Sequence, residues 1–170
     1  KTANQPLWDE SGNYCIVFNG AIYNFKALRR GMEATGIRVH TESDTEVLLE
    51  TYKKWGTNCL ERLNGMFAFA IWDRPKRRLF LARDRLGKKP LFYFPLSGGG
   101  LVFASELKSL LAHPAAPRDL DLNALSQYLS LGYVPGTACI ISGIKKLSPG
   151  HFLVAEHGKL HEPVSYWDLK

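Results

Sequence analysis

The chain has 170 residues, of which 45% are hydrophobic and 22% charged, with a net charge of +6. That is enough material for one domain with a real core, and the ordinary composition excludes a disordered tail or a fibrous protein. No apolar run approaches membrane-spanning length, and Lys1-Thr2-Ala3-Asn4-Gln5-Pro6 lacks the apolar centre of a signal peptide; there is no initiator Met, as expected of an internal piece of a longer chain.

Tyr14 to Phe18 reads as a strand, and Asn19-Gly20 follows at its end. Asn-Gly is the strongest short hairpin signal. It also sets a side-chain amide beside an unhindered backbone N–H, and two converging donors are what an oxyanion hole requires. Phe25, Leu28 and Met32 recur at helical spacing, with Gly36 as the stop. Ile37 to His40 is a short strand candidate. Ser43-Asp44-Thr45-Glu46 reads as a capping box opening a helix that buries Val47, Leu48, Thr51, Tyr52 and Trp55 and ends at Gly56. Asp44 in that first turn is also what helix electrostatics favours. Cys59, Leu60 and Leu63 suggest one more short helix.

Met66 to Trp72 is apolar on both alternating faces, as in a strand covered on both sides. Arg78 to Arg83 follows after a short turn. Leu91 to Phe94 and Leu101 to Ala104 pair around Ser97-Gly98-Gly99-Gly100, a flexible hairpin. Strands this apolar imply layers on both sides of the sheet. Glu106 to Leu111 is a short helix, and Asp121 caps another carrying Leu122, Leu125, Tyr128 and Leu129. Residues 132–150 read as irregular, and His151 to Ala155 as a last strand.

Other chemistry finds little support. Three widely spaced cysteines (Cys15, Cys59, Cys139) and five histidines form no metal-ligand spacing, and free thiols fit a cytoplasmic protein. The densest basic run, Arg74 to Arg78, sits in a turn, and no nucleic-acid motif accompanies it. Arg83, Asp84 and Gly87 read as an architectural ion pair beside a glycine turn.

Taken together, Asn19-Gly20-Ala21-Ile22-Tyr23-Asn24, Ser43-Asp44-Thr45-Glu46, Leu63-Asn64-Gly65-Met66-Phe67-Ala68, Ala82-Arg83-Asp84-Arg85-Leu86-Gly87, Phe103-Ala104-Ser105-Glu106 and Leu147-Ser148-Pro149-Gly150-His151 make the chain resemble a known family. It is similar to the N-terminal glutaminase domain of the glutamine-hydrolysing asparagine synthetases, which are class II glutamine amidotransferases. The resemblance implies an α+β fold, an αββα sandwich of the N-terminal nucleophile hydrolase type. It implies a partial amidotransferase domain over residues 1–165, with 166–170 beginning a linker to a C-terminal synthetase domain. In the family an N-terminal Cys attacks the side-chain amide of glutamine, activated by its own α-amine. By resemblance, Asn19 and Gly20 hold the oxyanion, and Asp44 binds the substrate's α-amino group with Ala21 at the lip of the pocket. Neither metal nor cofactor is implied in this domain, whereas ATP and Mg belong to the synthetase domain. Glutamine and that domain are the implied partners. Nucleic acid and membrane are not, and a homodimer is compatible.

Two departures stand out. The family's opening Cys-Gly-Ile and the arginine for the glutamine carboxylate are absent, so this chain alone is expected to be inactive. Ala21 stands where the family usually has Glu. Alternatives are a non-catalytic scaffold of the same fold, or a glutaminase serving a different acceptor.

Overall fold

The computed structural model describes residues 4–169. In chain order the elements are β1 (Leu7–Trp8), β2 (Tyr14–Ile22), α1 (Phe25–Glu33), α2 (Asp44–Trp55), α3 (Cys59–Arg62), β3 (Gly65–Asp73), β4 (Arg78–Arg83), β5 (Phe92–Pro95), β6 (Leu101–Ala104), α4 (Leu107–Leu111), α5 (Leu122–Leu131), β7 (Lys145–Lys146), β8 (His151–Glu156), β9 (Lys159–Leu160) and β10 (Val164–Ser165). One antiparallel sheet runs β1-β2-β3-β4-β8-β10, with β9 on β8, and a second runs β6-β5-β7.

The period-two pattern of β3 dictates the layering. Phe67, Phe69 and Ile71 join Ile16, Phe18, Leu48, Leu49 and Tyr52, between the large sheet and α2. Ala68 and Ala70 point the other way, packing with Leu91 and Tyr93 between the two sheets. Phe94, Leu110 and Ile144 form a third cluster between the small sheet and α4. Helices therefore flank two stacked sheets, and the expected αββα sandwich is the observed one.

Four local expectations change. Asn19-Gly20 is not a turn at a strand end, because β2 pairs with β3 without interruption from Tyr14↔Asp73 to Ile22↔Gly65. Residues 37–40 form no strand. Side chains serve that backbone instead: Arg29 donates to the Val39 and Thr41 carbonyls, and Glu46 accepts from the His40 and Thr41 amides. Glu46 thus does not close a capping box, although Ser43 does cap α2 by accepting from the Thr45 amide at 3.2 Å. The irregular stretch 132–150 contains the short strand β7. Lys1–Ala3 and Lys170, at the ends of the expected domain boundaries, lie outside the described residues.

Arg83 and Asp84 prove architectural but do not pair as expected. The Arg83 guanidinium donates to the Gly87, Lys89 and Leu147 carbonyls. Burial lowers its pKa, because those carbonyls do not replace the lost water for a charge. The Asp84 carboxylate, 1% exposed, accepts from the amides of Phe67, Leu86, Lys88 and Lys89 at 2.9–3.1 Å. Asp84→Ala strands four amide donors at once. It is expected to cost more than about 3 kcal/mol in urea unfolding, since each unsatisfied buried donor costs about 1–3 kcal/mol. A loss below about 1 kcal/mol would contradict this role.

Candidate functional site

Strand β2 carries the candidate residues and presents them in two directions. Its odd-numbered side chains, Val17 and Asn19 among them, face the space between the sheets. There a cleft of about 400 Å³ is lined by Gln5, Val17, Asn19, Ala68, Ala70, Phe103 and Ser105, among others. The small side chains of Ala68 and Ala70 leave that room. Gly20, Ala21 and Asp44 are not part of its lining.

The even-numbered backbone groups of β2 face its outer edge. Phe18 donates its N–H to Gln5 Oε1 at 2.6 Å and accepts from Gln5 Nε2 at 2.8 Å. Ile22 donates its N–H to Asp44 Oδ2 at 3.0 Å. Because N–H and C=O alternate sides along an extended chain, Gly20 faces the same edge, between these two clamps. The partner strand agrees. Phe67, opposite Gly20, spends its own N–H on Asp84 Oδ2 and its carbonyl on the Asp84 amide. Gly20 and Phe67 are therefore a non-hydrogen-bonded pair, the closer-packed kind. Among the described residues no strand lies opposite the Gly20 N–H on the outer edge.

That closeness explains the glycine. A Cβ on Gly20 would lie 2.1 Å from the Met66 carbonyl oxygen, and its φ of +152° suits no other residue well. A Cβ on Gly65 would lie 2.2 Å from the Ala21 carbonyl oxygen. Two glycines, one on each strand, let β2 and β3 meet where the candidate donors sit. Asn24 fastens the end of this crossing, donating from Nδ2 to the Arg62 carbonyl and accepting from the Asn64 amide on Oδ1.

Asp44 is the first residue of α2 and is half-buried. One oxygen holds Ile22, and the other has no hydrogen bond among the described residues. The structure thus joins Asn19, Gly20 and Asp44 along one strand and its edge, three residues from Asn19 to Ile22, or about 10 Å. The exposed Asn19, the half-buried Gly20 and the half-buried Ala21 follow one another on β2. Sequence reasoning missed Gln5 as a clamp. The β1–β2 register puts residue 5 opposite Phe18, and the Gln5 side-chain amide bonds both backbone groups of Phe18, a long-range contact that no local pattern marks.

None of the three cysteines is placed as a nucleophile. Cys15 pairs with Trp8 and Trp72 inside the sheet. Cys59 is fully buried, and burial pushes its thiol up to about 12. Cys139 belongs to the third cluster, away from Asn19. Among the described residues no cluster of His, Cys, Asp and Glu could hold a metal ion, and no helix is long and apolar enough to cross a membrane.

The glutamine amidotransferase domain family matches residues 1–167. The chain belongs to that family. It is 43% identical over 159 residues to asparagine synthetase [glutamine-hydrolyzing] 3 of Bacillus subtilis (strain 168), covering 92% of this chain and 25% of that protein. It is 31% identical to amidase chry2 of Gibberella zeae, covering 99% of this chain and 24% of that one. The chain thus spans about a quarter of the length of the curated relatives it matches. Among solved structures it resembles the B. subtilis glutamine phosphoribosylpyrophosphate amidotransferase with ADP and GMP, at a TM-score of 0.62 and 22% identity over 96% of this chain and 32% of that one. A glutamine aminotransferase class-II domain protein from Silicibacter pomeroyi gives 0.53 at 16% identity, over 92% of this chain and 69% of that one. These structures bear out the expected N-terminal nucleophile hydrolase type of fold.

The start of α2, which presents Asp44, has a pH-sensitive support in Glu46. Burial alone would raise this carboxyl's pKa. Hydrogen bonds from the Thr41 hydroxyl and the His40 and Thr41 amides outweigh burial and leave it below its ordinary 4.5. A depressed acid contributes stability above its unfolded value and loses it as pH falls through the folded one. The melting-temperature gap between wild type and Glu46→Gln should therefore be constant above pH 4.5 and close progressively below it. A gap that widens in acid would contradict the assignment.

Proposed function

We propose that this chain is the glutamine-hydrolysing domain of an asparagine synthetase-type amidotransferase. In that reaction glutamine supplies ammonia for ATP-dependent conversion of aspartate to asparagine. The observation that carries the reading is the Gly20 N–H held on the β2 edge between the Gln5 and Asp44 clamps, with the Asn19 amide beside it. The Gly20 N–H and Asn19 Nδ2 bind the developing oxyanion where negative charge appears in the transition state. The unbonded oxygen of Asp44 takes the substrate's α-ammonium.

The nucleophile comes from sequence outside residues 1–170, because none of the three thiols reaches the cleft. Among the described residues β6 has an unpaired outer edge, and Phe103, Ala104 and Ser105 beside it line the Asn19 cleft. A strand laid there brings a leading cysteine against Asn19. Its α-amine takes the thiol proton and the thiolate adds to the amide carbon. Ammonia then leaves with that proton, and water releases glutamate from the thioester. Ala21 in place of the family's Glu removes a carboxylate from the substrate side of β2, so glutamine is held by backbone and Asp44 rather than by that side chain. ATP and Mg act in the synthetase portion of the polypeptide, and the reading places the whole in the cytoplasm. A different nitrogen acceptor is the second reading: amidase chry2, similar over 99% of this chain, does not carry the asparagine synthetase name.

In the gene-encoded polypeptide carrying its nucleophile, Asn19→Ala should lower kcat for glutamine hydrolysis about 100-fold or more, with little change in KM. An unchanged turnover overturns the oxyanion role. ATP-dependent amidation assayed with aspartate and then with other carboxylates separates asparagine synthesis from a different acceptor.

A further inference from the structure

Helix α5 buries little of its own surface. Of Leu122–Leu131 only Ala124 is buried. Leu122 is 73% and Leu129 76% exposed, and Tyr128, Leu131 and Tyr133 are each at least half exposed. The helix carries no Asp, Glu, Lys or Arg. A helix that is apolar around most of its circumference belongs in an interior, and a contiguous exposed apolar patch marks an interaction surface. The patch continues inward as a cavity of about 510 Å³ between α5 and the small sheet, lined by Phe92, Leu107, Leu125, Tyr128, Tyr133 and Ile140, among others.

What covers this face is indicated by the chain itself. Glu162 and Pro163, close to its C-terminal end, share a smaller cavity with Asp121, the residue that caps α5. The end of the chain therefore passes the base of the helix. The relatives are about four times as long as the match, since the chain covers 25% of the Bacillus protein. Beyond Pro163 the chain runs beside β8, with Val164 opposite Phe152 and the Tyr166 and Trp167 amides on the Gly150 carbonyl, so a domain that follows starts a few residues from the helix base. We propose that the outer face of α5, with Leu122, Tyr128, Leu129 and Leu131, is the seat on which the following portion of the same polypeptide docks. This rests on the reading of the chain as one domain of a synthetase-type enzyme. An uncharged face of this kind suits a permanent intramolecular interface better than a transient polar one.

Hydrogen exchange tests it by comparing the 170-residue chain with the gene-encoded polypeptide that carries it. Amides of residues 122–134 should exchange at least about tenfold more slowly in the longer polypeptide. Leu122→Asp with Leu129→Asp should abolish that difference. Both side chains are exposed, so the melting temperature of the 170-residue chain should be unchanged by the pair. Equal exchange in the two forms overturns the proposal. So does protection in the 170-residue chain that fades on dilution, which assigns the face to a second copy. A gene product ending at residue 170 also overturns it. Aspartate amidation is assayed on the same sample: protection without that activity sinks the asparagine reading and leaves the docking surface standing.

Discussion

One buried carboxylate sets the geometry that everything else inherits. Asp84 draws four backbone amides onto its two oxygens, and one of them belongs to Phe67 in β3. Its own backbone takes up the Phe67 carbonyl. With both groups committed to this side, Phe67 has nothing to offer β2. Gly20 is therefore left in a close, non-hydrogen-bonded pair with its N–H directed outward. A turn motif between β4 and β5 thus decides where a donor on β2 points. Arg83 beside it ties the same loop to Leu147, and Tyr166 closes the knot by donating to the Arg83 carbonyl at 2.7 Å.

The same economy of backbone groups explains the two clamps. An outer strand normally saturates the edge of its neighbour, and β1 does so for only two residues of β2. Beyond them, side chains substitute: the Gln5 amide acts on Phe18 and the Asp44 carboxylate on Ile22. Substitution at alternate residues opens a gap one residue wide, and Gly20 occupies it. Site and scaffold are therefore not separable on this strand. The carboxylate proposed to hold the substrate ammonium also fixes the spacing of the oxyanion donors.

Much of this was legible beforehand. The two apolar faces of Met66 to Trp72 foretold a sheet covered on both sides, and the Ser43 and Asp121 caps were visible as short polar residues opening apolar runs. What escaped was long-range. Asn19-Gly20 looks locally like a hairpin turn, and only the pairing with β3 over nine residues shows it to be extended strand. Ile37 to His40 has strand-like residues, but Arg29 and Glu46 satisfy the backbone first. Arg83 and Asp84 look like an ion pair because they are adjacent and oppositely charged, yet each bonds backbone groups of the loop and one beyond it, Leu147 for Arg83 and Phe67 for Asp84. The Gln5 clamp depends on a register that no local pattern reveals. In each case the deciding contact joins residues far apart in sequence or through side chains that propensity does not describe.

On the proposed reading, the edge of β2 and the Asn19 side chain converge on one substrate oxygen. The most direct measurement is a crystal structure of the nucleophile-bearing polypeptide after alkylation by a glutamine-like diazoketone, which leaves a carbonyl oxygen where the oxyanion forms. That oxygen should lie within about 3 Å of both the Gly20 backbone nitrogen and Asn19 Nδ2, with the ligand's ammonium on Asp44. An adduct whose oxygen is held by other donors, with Gly20 and Asn19 turned away, would contradict the account.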